Sequence, residues 1–139
     1  MDALPRHDLI IVMGDVNAKI GVQKDGEGRI VGKHVLKDIR NNNGERFVEF
    51  CRRNDMAITS TMYPHPEIYK YTWTSPDQRT RNQIDHLAVC GKFRRSIINT
   101  RCYRGADIGS DHNLGVGTLC LKLCKVMPQV KTANLKHQN

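Results

Sequence analysis

Long apolar runs are what this sequence most clearly lacks. No stretch approaches the roughly 20 apolar residues that a helix needs to cross a bilayer. Near the N-terminus the only continuous apolar run is residues 9–13, LIIVM. It follows Asp2, Arg6, His7 and Asp8, which is not the pattern of a secretory signal. The expectation is a nuclear or cytoplasmic protein, not secreted and without a membrane partner. Cysteine is present but unpaired in pattern: Cys51, Cys90, Cys102, Cys120 and Cys124 are odd in number and form no CxxC pair. That excludes a disulfide framework and a zinc ribbon, and leaves reduced, mostly buried thiols. No internal repeat occurs, so a solenoid is excluded, and no feature calls for an obligate protein partner.

What remains is an ordinary globular composition, 39% hydrophobic and 26% charged over 139 residues. That length fits one domain with one core. The net charge of +8 is uneven, because residues 92–139 hold nine Lys/Arg against Asp107 and Asp111. A basic C-terminal third favours a polyanionic partner such as a nucleic acid, although a merely solvated basic surface would have the same composition.

The run 9–13 is apolar at every position, as expected of a strand buried on both faces in mid-sheet. Such a strand needs two neighbours, and only eight residues precede it, so at least one is expected from later in the chain or from upstream of it, the second being preferred. Asn41, Asn42, Asn43 and Gly44 offer helix-capping groups, and a helix is predicted to about Arg53 with Phe47, Val48, Phe50 and Cys51 on one face. Residues 56–59 read as a short strand. Tyr69, Tyr71 and Trp73 alternate with Lys70 and Thr72, which predicts three rings on one face of a strand. After a turn at Ser75, Pro76 and Asp77, residues 83–89 form the returning strand of a hairpin, with Ile84, His86 and Ala88 on one face and Asp85, Leu87 and Val89 on the other. Residues 97–103 and 114–123 are two further strands joined by a loop over 104–111. Beyond Lys125 the pattern stops.

Three clusters carry chemistry. Gly14-Asp15-Val16-Asn17 sits at the carboxyl end of the apolar strand, where α/β sheets present ligand-binding groups. Asp15 could polarise a water and the Asn17 amide could donate to a developing phosphorane oxygen, although Asp and Asn after a strand are also common turn formers. Gln83-Ile84-Asp85-His86 places a carboxylate within a largely apolar strand, where an ionised group needs a partner or water. His86 points to the opposite face from Asp85, so the two are not a dyad. Gly109-Ser110-Asp111-His112 opens the last strand, where adjacent Asp and His can serve a divalent metal and a phosphate oxygen or simply cap a loop.

Their order, strand then GDxN, strand containing IDH, loop then SDH, resembles the endonuclease/exonuclease/phosphatase superfamily of DNase I-like proteins. It is most similar in wording to the endonuclease domains of non-LTR retrotransposons and to the craniofacial-development-protein-like sequences derived from them. Asn42-Asn43-Gly44-Glu45-Arg46-Phe47, Tyr71-Thr72-Trp73-Thr74-Ser75-Pro76, Asn82-Gln83-Ile84-Asp85 and Arg104-Gly105-Ala106-Asp107 carry that similarity, which spans roughly residues 8–123. The resemblance implies an α/β fold (α+β by some schemes), the C-terminal portion of a four-layer α/β/β/α sandwich. It implies a truncated domain over 1–124 and a basic tail over 125–139. It further implies a DNA endonuclease using Mg²⁺ or Mn²⁺. Asp15 would position the attacking water, Asn17 would stabilise the pentacovalent phosphate, and Asp85 would orient His112. His112 would contact the scissile phosphate or take a proton, and Asp111 would lie near the metal. Trp73 would either face substrate or sit in the core. Two local departures are His86, where the family has a tyrosine, and Gly115, at a usually bulkier position. The family's early asparagine, its main metal-binding glutamate and a catalytic tyrosine or histidine have no counterpart ahead of Asp15. The chain is therefore expected to be inactive by itself; the alternatives are a catalytically dead, transposon-derived nucleic-acid-binding domain and a related phosphatase.

Overall fold

The computed structural model describes residues 8–36, 39–103 and 111–120. The predicted loop over 104–110, the end of the last strand, Cys124 and the 125–139 tail lie outside the described residues. Those described form a mixed α+β arrangement whose named strands all pair antiparallel.

Helix α1 (Asn42–Arg53) begins where the asparagine run predicts: the Asn41 side chain accepts a hydrogen bond from Gly44 N at 2.7 Å. Phe47, Val48 and Cys51 are buried and join Ala18, Ile20, Ile30, Val31, Met56, Ile58 and Ala88 in the core. Glu49 pairs with Arg53 at 3.2 Å on the wet face. The helix covers one side of a three-stranded sheet in the order β1 (Ile11–Asp15), β5 (Asp85–Cys90), β2 (Met56–Ile58).

The central strand is β5, not the apolar run near the N-terminus. Residues 86–89 are all buried, whereas β1 pairs only with β5 among the described residues, and Met13 is 62% exposed. Unbroken apolarity is shared by a central strand and by an edge strand with one face on the core. Here Ile10 and Val12 pack on the core while Ile11 and Met13 alternate away from it. The neighbour that β1 does have comes from later in the chain.

The aromatic strand is also shorter than predicted. Pro66 leads into a 3₁₀ turn, Glu67–Tyr69, in which Lys70 N donates to Glu67 O at 2.8 Å, so only Trp73 and Thr74 are extended, as β3 (Trp73–Thr74). The hairpin partner is β4 (Arg81–Asn82) across a turn in which Ser75 Oγ and Arg79 N both donate to Asp77 Oδ1. The chain then passes into β5 in a different sheet. β6 (Ile97–Tyr103) and β7 (Leu114–Leu119) pair as a third sheet, with Cys102 opposite Gly115.

This third sheet lies against β5. A Cβ added at Gly117 would come within 2.8 Å of Leu87 Cδ1, so a larger residue there would push the Leu87 side chain aside. Thr100 Oγ1 lies 3.2 Å from Thr59 Oγ1, which donates to Leu87 O at 3.2 Å. Cys51 and Cys102 are buried, Cys90 is half-buried and Cys120 is exposed; all four are free thiols. No helix among the described residues is long and apolar enough to cross a membrane.

Candidate functional site

Asp15 ends β1 and stands directly opposite Asp85, the first residue of β5. Like charges directly across an antiparallel pair are destabilising, so this pair needs a compensating group. His112 supplies one. Its Nδ1 is 2.6 Å from Asp85 Oδ2 and its Nε2 is 3.7 Å from Asp15 Oδ2.

His112 is brought there by the 72–74 segment, whose backbone bonds to residues 111–113 while the Thr72 side chain reaches the start of β5. Thr74 N donates to Asp111 O at 3.2 Å and Asn113 N donates to Thr72 O at 2.8 Å. On the other side, the buried Thr72 hydroxyl oxygen accepts from Ile84 N at 2.8 Å and Asp85 N at 3.0 Å. Asn113 Nδ2 adds a bond to Tyr71 O at 2.7 Å. Thr72 and Asn113 were not singled out from sequence; in Thr72 the only signal is a polar residue between two aromatics in an alternating run.

The approach of β1 depends on Gly14, whose φ of +138° is costly for any residue with a side chain. Asp15 Oδ1 accepts from the Asn17 backbone N–H at 2.9 Å. Asn17 is held at φ +50°, and its carbonyl accepts from Asn43 Nδ2 at 3.1 Å. The Asn17 side chain borders a polar recess shared with Asp15, Lys19, Asn41, Trp73 and His112. Asp111 lies at the edge of the cluster, with Oδ1 4.0 Å from His112 Nε2 and Oδ2 accepting from the indole N–H of half-buried Trp73 at 3.1 Å. The structure thus gathers Asp15, Asp85, Asp111 and His112, with Asn17 and Trp73 at the rim.

The electrostatics follow from burial and pairing. The hydrogen bond to Asp85 holds the His112 imidazole above its ordinary pKa, with Asp85, Asp15 and Asp111 charges acting in the same direction. Burial raises the Asp85 carboxyl and the facing Asp15 adds to this, while His112 opposes. His86 has a different environment. It is fully buried beside Phe47, Nε2 lies 2.7 Å from Ala18 O and Nδ1 2.9 Å from Ser60 Oγ, and burial depresses it to about 4. A neutral imidazole donating from Nε2 satisfies both partners, which makes His86 a core residue.

A metal fits the donor set. One ligand atom from each of Asp15, Asp85 and His112 lies within 4.8 Å of the others. Asp85 Oδ1 is buried with no hydrogen-bond partner, and an orphaned carboxylate oxygen needs a cation or donor. Mg²⁺ is commonly held by one or two carboxylates and completes its shell from water and phosphate. A cleft of about 360 Å³ opens beside the cluster, its walls including Met13, Leu87, Thr100, Cys102, Leu114 and Gly115. A Cβ at Gly115 would meet nothing within 4 Å, so the departure there leaves the cleft open.

The arrangement is therefore a paired-carboxylate and histidine site on an antiparallel α+β scaffold. Over 129 residues, 93% of its length, the chain is 39% identical to craniofacial development protein 2 of Bos taurus and 37% identical to that of Tragulus javanicus. It is homologous to a segment of that protein and spans 21% and 22% of the two relatives. No family model matches the chain, and no solved structure matches it.

Proposed function

We propose that this chain carries the carboxylate, amide and histidine side of a metal-dependent phosphodiester hydrolase, a DNA endonuclease of retrotransposon type. We place it in the C-terminal portion of a DNase I-like four-layer sandwich. The observation that carries the reading is Asp85, which stands across the ladder from Asp15: one carboxylate oxygen fixes His112 while the other is buried and has no hydrogen-bond partner. A fold-stabilising aspartate would have both oxygens satisfied.

In this reading Asp15 and Asp85 would hold Mg²⁺ or Mn²⁺, with Asp111 beside them. When bound, the cation supplies positive charge to the phosphoryl oxygens and lowers the pKa of a water. Asp15 orients that water, and Asn17 donates to the phosphorane oxygen. Asp85 fixes the His112 ring, and the raised basicity of His112 lets it hold a proton against the phosphate. Two carboxylates, one of them already committed to a histidine, hold a hard cation weakly. The segment alone is therefore inactive, and cleavage needs groups from outside it.

Supercoiled-plasmid nicking in Mg²⁺ tests this on three proteins: the 139-residue chain, an upstream-extended form, and the extended form carrying His112→Ala. The expected pattern is nicking by the extended protein only. Equal nicking by the short chain would remove the incompleteness argument. Salt-sensitive DNA binding with no nicking by any form would point to a binding domain, and phosphate release from a small monoester with the plasmid intact would point to a phosphatase.

A further inference from the structure

On the opposite face of β6 from the cleft lies a group that the hydrolase site does not use. Thr100 and Cys102 line the cleft, and strand alternation sends Arg101 and Tyr103 the other way. The Arg101 guanidinium carbon is 4.0 Å from the centroid of Tyr69 and 4.1 Å from that of Tyr103, a cation clamped between two rings. Both rings stay open to solvent, at 36% and 45%.

An arginine serving only the fold ends on acceptors. Arg40 does, reaching Glu27, Glu45 and the Ile20 carbonyl. Arg101 has no carboxylate partner among the described residues, and its Nε is buried without an acceptor. The two rings hold the guanidinium, and its terminal nitrogens make no hydrogen bond among the described residues, which leaves donors of the kind that match a phosphate.

The pattern continues along the chain. Arg81 lies over the Tyr71 ring at 5.3 Å, and Trp73 reaches Asp111 beside His112. The four steps from Tyr69 to Trp73 span at most about 14 Å of chain. Rings and cations therefore lead from the Arg101 clamp to the carboxylate cluster. Exposed aromatic faces beside fixed cations bind unpaired bases and backbone together, which a duplex with its bases stacked inside cannot exploit.

We propose that Tyr69, Arg101 and Tyr103 form a contact site for single-stranded nucleic acid, continued by Tyr71 and Arg81 toward Trp73. The proposal rests on the nucleic-acid side of the reading above and not on its chemistry. The test is fluorescence anisotropy of a labelled single strand of about 16 nucleotides with the full chain in metal-free buffer, alongside a duplex of the same sequence. Thermal melts identify variants that remain folded. Arg101→Gln should weaken single-strand binding by roughly tenfold. Arg101→Lys keeps the charge but loses the fork and should weaken it several-fold, as should Tyr103→Leu. Single-strand affinity equal to the parent's in folded Arg101→Lys and Tyr103→Leu overturns the proposal, as does a preference for the duplex. If no form nicks plasmid yet Arg101→Gln still loses the oligonucleotide, the hydrolase reading falls and this one stands.

Discussion

Glu27→Gln should unfold this domain more easily than any surface charge change, and the structure gives the size. Glu27 and Arg40 form a two-pronged pair, both bonds 2.7 Å, with side chains only 5% and 4% exposed. Arg40 also donates from Nε to Ile20 O at 2.5 Å, tying the 19–36 loop to the residue that precedes the α1 cap. Removing one partner of a buried pair costs about 3–5 kcal/mol, chiefly by stranding the other charge. Glu45, 3.2 Å from Arg40 Nη1, remains and offsets part of that. The expected loss is therefore near the lower end, about 3 kcal/mol, which lowers Tm by roughly 10 °C for a domain of this size. The Arg40 hydrogen bond holds the Glu27 carboxyl below the ordinary glutamate value, against the opposing effect of burial. A depressed folded pKa means the stabilisation is fully present above the unfolded value of about 4.3 and is lost as pH falls through the folded one. The gap between parent and Glu27→Gln should accordingly be widest at neutral pH and close in acid. Thermal melts at several pH values measure this; a gap of a degree or two at pH 7, or one that widens in acid, would refute the reasoning.

Three further outcomes follow from the site and its supports. In metal-free buffer the His112 ring should titrate above an ordinary histidine, and Asp85→Asn should bring its pKa down, read by NMR; an unmoved His112 resonance would show that the 2.6 Å contact does not carry the shift. Gly14→Ala meets no steric obstacle but forces φ +138° on a residue with a side chain, so it should cost on the order of 1–3 kcal/mol of stability by denaturant unfolding. Asn41→Ala removes the acceptor shared by Gly44 N and Lys19 N and should cost about 1–2 kcal/mol, seen as a lower denaturant midpoint with an unchanged slope.

Where local chemistry decides structure, the sequence was legible. The Asn41 cap, the apolar face of α1, the Ser75–Asp77 turn and the extent of β6 all depend on neighbours within a few residues. What misled was pattern whose meaning depends on distant partners. The LIIVM run says that one face must be covered and leaves the other undetermined, and β5 could claim the centre only because both β1 and β2 pair with it. The Tyr-Tyr-Trp alternation predicted a strand, yet Pro66 and the closing bond from Lys70 to Glu67 put Tyr69 in a 3₁₀ turn instead. The Glu27–Arg40 pair was invisible, because a glutamate in a glycine-rich stretch and an arginine before a cap give no sign that they meet.

The site shows the same division at a finer scale. The residue types of the cluster were readable because few side chains carry charge or bind metal, but distances were not. Asp15 and Asp85 are 70 positions apart in the chain, and only the β1–β5 register sets them opposite each other. Shifting that register by one residue would turn one of the two carboxylates to the helix side, so the cluster is a property of the pairing as much as of the side chains. The start of β5 is held by a residue with no chemistry of its own, Thr72, whose hydroxyl accepts from Ile84 N and Asp85 N. Placing two like charges face to face across a ladder works against folding. Here the facing carboxylates lie beside His112 and an orphaned Asp85 oxygen, the arrangement on which the proposed ligand site rests.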